Sequence, residues 1–152
     1  MGGLYFVTLN VKERYQCLGV IIDGKMQLTA MGKVVADCWQ ELPEHFSNME
    51  LDEWVVMPDH VHGIIRIKEA EPLSVNDDPW GSAAYAGALG TIIGSFKSAA
   101  SKLIRRSLDP TFQWQRSFHD AIITDPKHLE NVRRYIQQNP SRWQQQENSG
   151  QG

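Results

Sequence analysis

Apolar residues recur along the chain with two spacings, one typical of strands and one typical of helices. The apolar run over residues 4–9 predicts a buried strand that opens the domain. Residues 18–22 and 25–28 flank Asp23-Gly24, a dipeptide that tolerates the positive φ angles of a tight turn. These two runs are therefore predicted to form a β-hairpin.

A helix is predicted next, followed by a second pair of strands. Thr29 is a suitable N-cap, and apolar residues then recur at helical spacing as far as Pro43. The strand-like runs 54–57 and 61–67 flank Pro58-Asp59, where proline favours a tight turn. This turn places His60 and His62 at the start of a strand.

The second half of the chain is predicted to hold two further helices and one strand. Residues 68–88 lack periodicity and predict a mobile loop, to which we assign no chemistry. Apolar positions over residues 89–104 predict a long amphipathic helix, and residues 117–124 predict a strand.

The last helix is predicted to begin at Asp125-Pro126 and to end at Asn139-Pro140. Residues 144–152 carry no packing stripe and are expected to form a polar, disordered tail. The predicted domain therefore covers residues 1–143.

Hairpins combined with helices that can cover one face indicate an α+β sandwich with a mainly antiparallel sheet. A length of 152 residues with 41% hydrophobic content suits one compact domain. No apolar run approaches about 18 residues, and no basic-then-apolar leader is present, so we expect a cytoplasmic protein without a membrane span. Cys17 and Cys38 lack CxxC spacing and are interpreted as half-buried thiols.

Charge is unevenly distributed along this chain, whose net charge is −3. Residues 1–89 hold 6 Lys and Arg against 13 Asp and Glu, whereas residues 90–142 hold 9 against 4. The basic half can form a local cationic surface on an acidic protein. We expect it to bind DNA through Lys97, Lys102, Arg105, Arg106, Arg133 and Arg134.

Two patterns carry candidate chemistry. Alternate residues of a strand share a face, so His60 and His62 can direct two imidazoles at one divalent metal, although hydrogen-bonded structural histidines are the commoner case. Tyr135 and Asn139 lie one turn apart on the last helix, where Asn139 could add an oxygen ligand. A helical tyrosine usually serves packing, and its phenol is a weak nucleophile unless a metal polarises the phosphate that it attacks.

Three motifs together resemble the single-tyrosine HUH transposases, and especially the REP-associated tyrosine transposases. The motifs are WVVMPDHVHGII at residues 54–65, Phe118-His119-Asp120, and RYIQQNP at residues 134–140. The resemblance covers residues 4–143, which is nearly the whole chain.

The resemblance implies a ferredoxin-like fold and Mg²⁺ or Mn²⁺ bound by His60, His62 and Asn139. It implies that Tyr135 joins covalently to a DNA 5′ phosphate, and that the partner is single-stranded DNA with a hairpin. Related transposases work as homodimers or as monomers, so both states stay open. No role can be assigned to His119 and Asp120.

Two other functions were weighed against this one. A phosphoesterase with two His-x-Thr/Ser motifs is disfavoured because the chain has a single HxH and no such partner motif. The second alternative is a domesticated protein that binds hairpin DNA without transposing. All the catalytic residue types are retained, which favours the enzyme.

Overall fold

The computed structural model describes residues 3–68 and 88–149. In these residues the elements follow the order of the sequence predictions. They are β1 (Gly3–Asn10), a 3₁₀ helix (Lys12–Arg14), β2 (Gly19–Ile22), β3 (Lys25–Leu28), α1 (Ala30–Gln40), α2 (Leu42–His45), β4 (Met49–Val56), β5 (His60–Ile67), α3 (Ala88–Ser107), β6 (His119–Ile123) and α4 (Pro126–Ser149).

The main sheet has the strand order β4-β5-β1-β6, with every neighbouring pair antiparallel. Leaving aside the 3₁₀ helix, the β2–β3 hairpin, the short α2 and the C-terminal helix α4, the described elements follow the order β-α-β-β-α-β of a ferredoxin-like sandwich. The predicted α+β, ferredoxin-like class is therefore confirmed. The hairpin is also confirmed, since Asp23 and Gly24 have φ angles of 53° and 73°.

Helices cover both faces of this sheet, whereas the sequence pattern predicted helices on one face. The larger core lies between the sheet and the helices α1 and α3, where the Trp39 and Phe96 rings meet edge to face, 5.1 Å apart. On the opposite face, Val132 and Ile136 of α4 pack against Ile64 and Ile123. A small core thus fixes α4 across the sheet.

Gly63, directly after the two histidines, allows α1 to approach β5 closely. A Cβ atom at this position would lie 2.4 Å from the Trp39 ring, closer than packed atoms come. The Trp39 side chain is fully buried. The glycine of the HVHG run therefore serves packing on the face opposite to the histidines.

The prediction that the last helix ends at Asn139-Pro140 is wrong. Helix α4 continues through Pro140 to Ser149, so residues 144–149 of the predicted disordered tail are helical. Tertiary contacts account for this, because the Gly24 amide donates a hydrogen bond to Gln144 Oε1 and the Trp143 ring lies near His60. The Asn139 side chain also caps the Tyr135 carbonyl at 2.6 Å, just before the proline.

Two smaller differences concern element ends. Helix α1 ends at Gln40, and Pro43 lies at the start of α2, where its missing amide hydrogen costs nothing. Strand β4 begins at Met49, five residues before the predicted run. The loop predicted over residues 68–88 lies almost entirely outside the described residues, as do residues 150–152. Among the helices that are described, none is long and apolar enough to cross a membrane.

Candidate active site

A cleft of about 360 Å³ opens between the sheet and helix α4. Strands β1, β5 and β6 form its floor, α4 forms one wall, and the 3₁₀ helix supplies one cation at its edge. Its lining residues are Thr8, Asn10, Arg14, His60, His62, His119, Tyr135, Asn139, Arg142, Trp143 and Gln146. The predicted metal ligands and the predicted nucleophile therefore lie in one cleft of a single chain.

Strand register places the polar floor residues on one face. Asn10 pairs with His60, and Thr8 pairs with His62 on one side and with His119 on the other. Directly paired residues of antiparallel strands point to the same side of a sheet. His119, whose role the sequence left open, thus reaches the same cleft from β6.

Each imidazole of the HxH pair is oriented by a hydrogen bond at Nδ1. Thr8 Oγ1 lies 2.9 Å from His62 Nδ1, and Asp59 Oδ1 lies 2.5 Å from His60 Nδ1. The ring centroids of His60 and His62 are 4.5 Å apart. With Nδ1 engaged in both rings, Nε2 is the nitrogen available to a ligand, as in histidine metal sites with an orienting partner.

Electrostatics keep His62 neutral and Asp59 charged. Burial, together with the electrostatic effect of the neighbouring His60 and Arg14, lowers the pKa of His62 to about 3. Burial alone would raise the pKa of Asp59, but hydrogen bonds from His60 and Arg14 lower it overall. A neutral imidazole is the form that binds metal.

Arg14 is held at the edge of the cleft by an unusual backbone. Glu13 and Arg14 have φ angles of 58° and 55°, which are uncommon for residues with side chains. Arg14 Nε lies 2.9 Å from Asp59 Oδ2, and Nη2 lies 3.3 Å from Oδ1. This fork fixes the carboxylate that orients His60.

Tyr135 extends from α4 over the HxH pair. Its ring centroid lies 5.6 Å from that of His62 and 6.1 Å from that of Phe6, and 39% of the residue is exposed. The Arg142 guanidinium lies 5.6 Å from the centre of the tyrosine ring. The phenol is thus accessible to a ligand in the cleft and has a cation beside it.

The donor atoms around the cleft suit a small divalent cation. Asn10 Oδ1 is buried and has no hydrogen-bond partner among the described residues. Asn139 is buried and uses its Nδ2 on the Tyr135 carbonyl, which leaves Oδ1 for a ligand. Within residues 3–68 and 88–149, no three His, Cys, Asp or Glu side chains are placed to hold a metal ion together, so amide oxygens would have to complete the site. The amide oxygens are of the kind that Mg²⁺ and Mn²⁺ take, whereas imidazole nitrogens suit transition-metal ions, and Mn²⁺ is the transition-metal ion of the two.

Comparison with known proteins finds relatives that match most of this chain. An uncharacterized protein of Haemophilus influenzae is 34% identical over 94% of this chain and 83% of its own length. A second protein of that organism, named "Putative REP-associated tyrosine transposase", is 27% identical over 91% of this chain and 70% of its own length. No protein-family model matches the chain.

Two solved structures share the fold. A REP-associated tyrosine transposase bound to a REP hairpin superposes with a TM-score of 0.63, at 21% identity, over 92% of this chain and 67% of that one. A transposase from Deinococcus radiodurans, described as putative, gives a TM-score of 0.54 at 16% identity, over 91% and 92% of the two chains. The chain is therefore similar to REP-associated tyrosine transposases, in sequence to the second Haemophilus influenzae protein and in fold to the hairpin-bound structure.

The residues predicted to bind DNA occupy different environments in the structure. Lys97, Lys102 and Arg105 line a second hollow beside α3, while Arg106 on the same helix is exposed outside it. Arg133 forms a two-pronged ion pair with Asp52, at 2.7 and 2.8 Å, and Arg134 lies 3.4 Å from Glu130. The α4 arginines are thus partly neutralised, whereas the α3 cations face the hollow.

Several cleft residues were not predicted from the sequence. Thr8 and Asn10 are polar residues two apart in an apolar strand, a signal that could have placed them on the histidine face. Arg142 and Gln146 were missed because α4 was expected to end earlier. Aromatic side chains could also stack on unpaired bases, but Trp114 is buried, and Trp80 and Tyr85 fall outside the described residues. The Trp143 ring lies 6.1 Å from that of His60, at the cleft.

Proposed function

We propose that this protein cleaves single-stranded DNA near hairpin ends through a 5′-phosphotyrosine at Tyr135, and rejoins strands by reversing that step. The observation that carries the proposal is the position of Tyr135, whose ring lies 5.6 Å from that of His62 in a cleft of the same chain. A relative of the same fold is bound to a REP hairpin, which supports hairpin DNA as the partner.

In the proposed reaction, Tyr135 Oη attacks the phosphorus of one phosphodiester. The new bond joins Oη to phosphorus, and the bond between phosphorus and the 3′ oxygen breaks. The phenolic proton is lost as the attack proceeds, and the departing 3′ oxygen gains a proton to become a hydroxyl. Because the phosphodiester is conserved as a phosphotyrosine, attack by another 3′ hydroxyl restores a DNA strand without ATP.

We infer that His60, His62 and Asn139 would hold Mg²⁺ or Mn²⁺, with Asn10 as a further oxygen donor. A bound divalent ion would polarise the phosphate and lower its charge toward the attacking phenol. Thr8 and Asp59 fix the imidazoles through Nδ1, so the ligand nitrogens are oriented before the ion arrives. His119 reaches the cleft from the opposite strand and is available to contact DNA.

Arg142 is the cation best placed to attract the phosphate. Among the described residues Arg14 is paired with Asp59, whereas Arg142 has no ion pair and lies against the tyrosine ring. The residues lining the cleft include no carboxylate. A phosphodiester therefore enters a site with uncompensated positive charge next to the nucleophile.

Covalent capture tests the proposal. The wild-type chain is incubated with Mn²⁺ and a library of hairpin oligonucleotides with random single-stranded flanks, then denatured. We expect a metal-dependent adduct that retains the fragment downstream of the cut, while the upstream fragment is released with an extendable 3′ hydroxyl.

Two tyrosine variants sharpen this experiment. Tyr135→Phe removes only the hydroxyl and should bind the same DNA without forming an adduct. Tyr15→Phe is the matched control, because Tyr15 is 65% exposed and lies outside the cleft lining. Adducts in Tyr135→Phe would overturn the proposal, and hairpin binding by the wild type without any adduct would instead indicate a binding protein.

A further inference from the structure

A second hollow of about 670 Å³ lies beside helix α3, separate from the cleft; we call it the cationic groove. It is formed by α3, the 3₁₀ helix and residues 112–116, which we call the strap. Five of its lining residues carry positive charge: Lys12, Lys97, Lys102, Arg105 and Arg116. None of its lining residues is acidic.

The charges of the groove are held in place by neutral acceptors. Lys97 Nζ donates to the Gln115 carbonyl at 2.8 Å, and Arg105 Nε donates to the Phe112 carbonyl at 2.8 Å. Lys12 Nζ likewise donates to a strap side chain, Gln113 Oε1, at 3.0 Å.

These cations keep their charge uncompensated. Across residues 3–68 and 88–149, no ion pair neutralises the five groove cations, in contrast to Arg133 and Arg134. Burial lowers the pKa of Lys97, a cost of desolvation that a bound anion would offset. The groove is therefore suited to an anionic ligand with several charges.

The groove and the cleft share a wall. Within the three residues of the 3₁₀ helix, Lys12 faces the groove and Arg14 faces the cleft. The Gln115 amide donates to the Asn10 carbonyl at 2.8 Å, which attaches the strap to the strand that carries a cleft residue. A polyanion leaving the cleft past Arg14 would meet Lys12 next.

We propose that the cationic groove binds the phosphates of the DNA segment adjoining the cleavage point, as a backbone contact that does not read bases. Trp114, the aromatic residue of the lining, is buried against Phe96 and Phe112, so it offers no face for base stacking. The placement next to a cut strand rests on the proposed function, but the phosphate contact itself does not.

The test compares two doubly substituted chains with equal changes in charge. Lys102→Gln with Arg116→Gln removes two exposed groove cations, while Lys25→Gln with Lys33→Gln removes two exposed cations outside the groove. The described residues show no side-chain hydrogen bond or ion pair for any of these four. The circular dichroism spectra should match that of the wild type.

Binding is measured to a hairpin oligonucleotide with single-stranded flanks of graded length, over a range of salt concentrations. Loss of two phosphate contacts should reduce the slope of log K against log salt by about 1.4, because each contact to a single strand contributes about 0.7. The groove variant should also lose the affinity that the wild type gains when one flank is lengthened. The control variant should behave as the wild type in both respects.

The proposal is overturned if the groove variant and the control show the same salt slope and the same dependence on flank length. Its failure is distinguishable from failure of the proposed function. If no adduct forms but the slopes change as expected, the proposed nuclease function is refuted and the phosphate contact in the groove is retained. If an adduct forms but the slopes are unchanged, the groove proposal is refuted and the nuclease function is retained. Flanks of two unrelated base sequences should give equal slopes, and a slope that depends on the sequence would also contradict the proposal.

Discussion

Hydrogen bonds at Nδ1 fix the orientation in which the two cleft histidines face a ligand. Thr8 lies opposite His62 in the strand register, and its hydroxyl is 2.9 Å from the ring nitrogen. Asp59 performs the same role for His60 and is itself held by Arg14. Such outer contacts fix ring orientation and tautomer, and they usually affect metal affinity as much as a weak ligand does.

Replacing Thr8 by valine should weaken metal binding without removing a ligand. Valine keeps the shape of threonine but cannot hold the imidazole, so we expect the affinity for Mn²⁺ to fall roughly 10- to 100-fold. Calorimetric titration of the metal-free chain measures this directly. Thr8→Ser retains the hydroxyl and should bind nearly as the wild type does; equal affinities for the valine and serine variants would contradict the assigned role.

At the scale of elements, two contacts set the positions of β5 and α4. Gly63 lets α1 pack closely on β5, and the ion pair between Asp52 and Arg133 joins β4 to α4. The first contact supports the strand that carries the histidines, and the second supports the helix that carries the nucleophile. Each can be tested through stability, independently of any activity.

Gly63→Ala should destabilise the fold, because the added methyl would meet the Trp39 ring at 2.4 Å. Overpacking of this kind costs about 1–3 kcal/mol of unfolding free energy. Gly94→Ala is the control, since a Cβ there meets open space on α3 and should stabilise the helix by up to about 1 kcal/mol. Urea denaturation of both variants should therefore give shifts of opposite sign, and a neutral Gly63→Ala would refute the close packing.

The pair between Asp52 and Arg133 should make stability depend on pH in the acid range. Hydrogen bonding to Arg133 is the largest cause of a lowered pKa for Asp52. A carboxyl with a lowered folded-state pKa stabilises the fold above its ordinary value of 3.8, and this contribution is lost as pH falls through the lowered value.

We therefore expect Asp52→Asn to lower the unfolding free energy by about 1 kcal/mol at pH 7. The loss is modest because the Arg133 side chain is partly exposed to solvent. The difference from the wild type should be full at neutral pH and should shrink at acid pH, as the pH falls below 3.8 and through the lowered pKa of Asp52. Glu130→Gln, which removes the exposed partner of Arg134, should change stability little at either pH. If the unfolding free energy of Asp52→Asn stays below that of the wild type by the same amount at every pH, the pair does not titrate as described.

Local sequence patterns were sufficient for most elements but not for the course of α4. The alternation around His60 and His62, the Asp23-Gly24 turn and the Asp125-Pro126 helix start depend on near neighbours, so each could be read from the sequence. The passage of α4 through Pro140 depends on Gln144 meeting Gly24, a contact across 120 positions. For the same reason Arg142 became visible as a cleft residue only in the fold.

At the scale of the whole molecule, a net acidic chain gathers uncompensated cations around two adjoining hollows. Arg142 lies in the cleft, and five cations line the groove, while the α4 arginines at positions 133 and 134 are paired with carboxylates. The distribution of paired and unpaired charge, which net charge conceals, is what supports a DNA-bound function.

The position of Tyr135 within one chain predicts whether a subunit can cleave DNA without a partner. Tyr135 reaches the histidines of its own chain, so we expect attack within one chain. Mixtures of Tyr135→Phe chains with chains carrying His60→Ala and His62→Ala should then stay inactive, even when mixed dimers are proven by crosslinking. Recovered cleavage would show that the tyrosine acts in a partner's cleft.

Peptide mapping of the covalent product tests the central claim most directly. Wild-type protein is captured on hairpin DNA with Mn²⁺, digested with nuclease and protease, and analysed by mass spectrometry. We predict a nucleotide phosphate on the peptide containing Tyr135 and none on the peptide containing Tyr15, although Tyr15 is more exposed than Tyr135. A nucleotide on any other residue, or DNA cleavage without a covalent product, would contradict it.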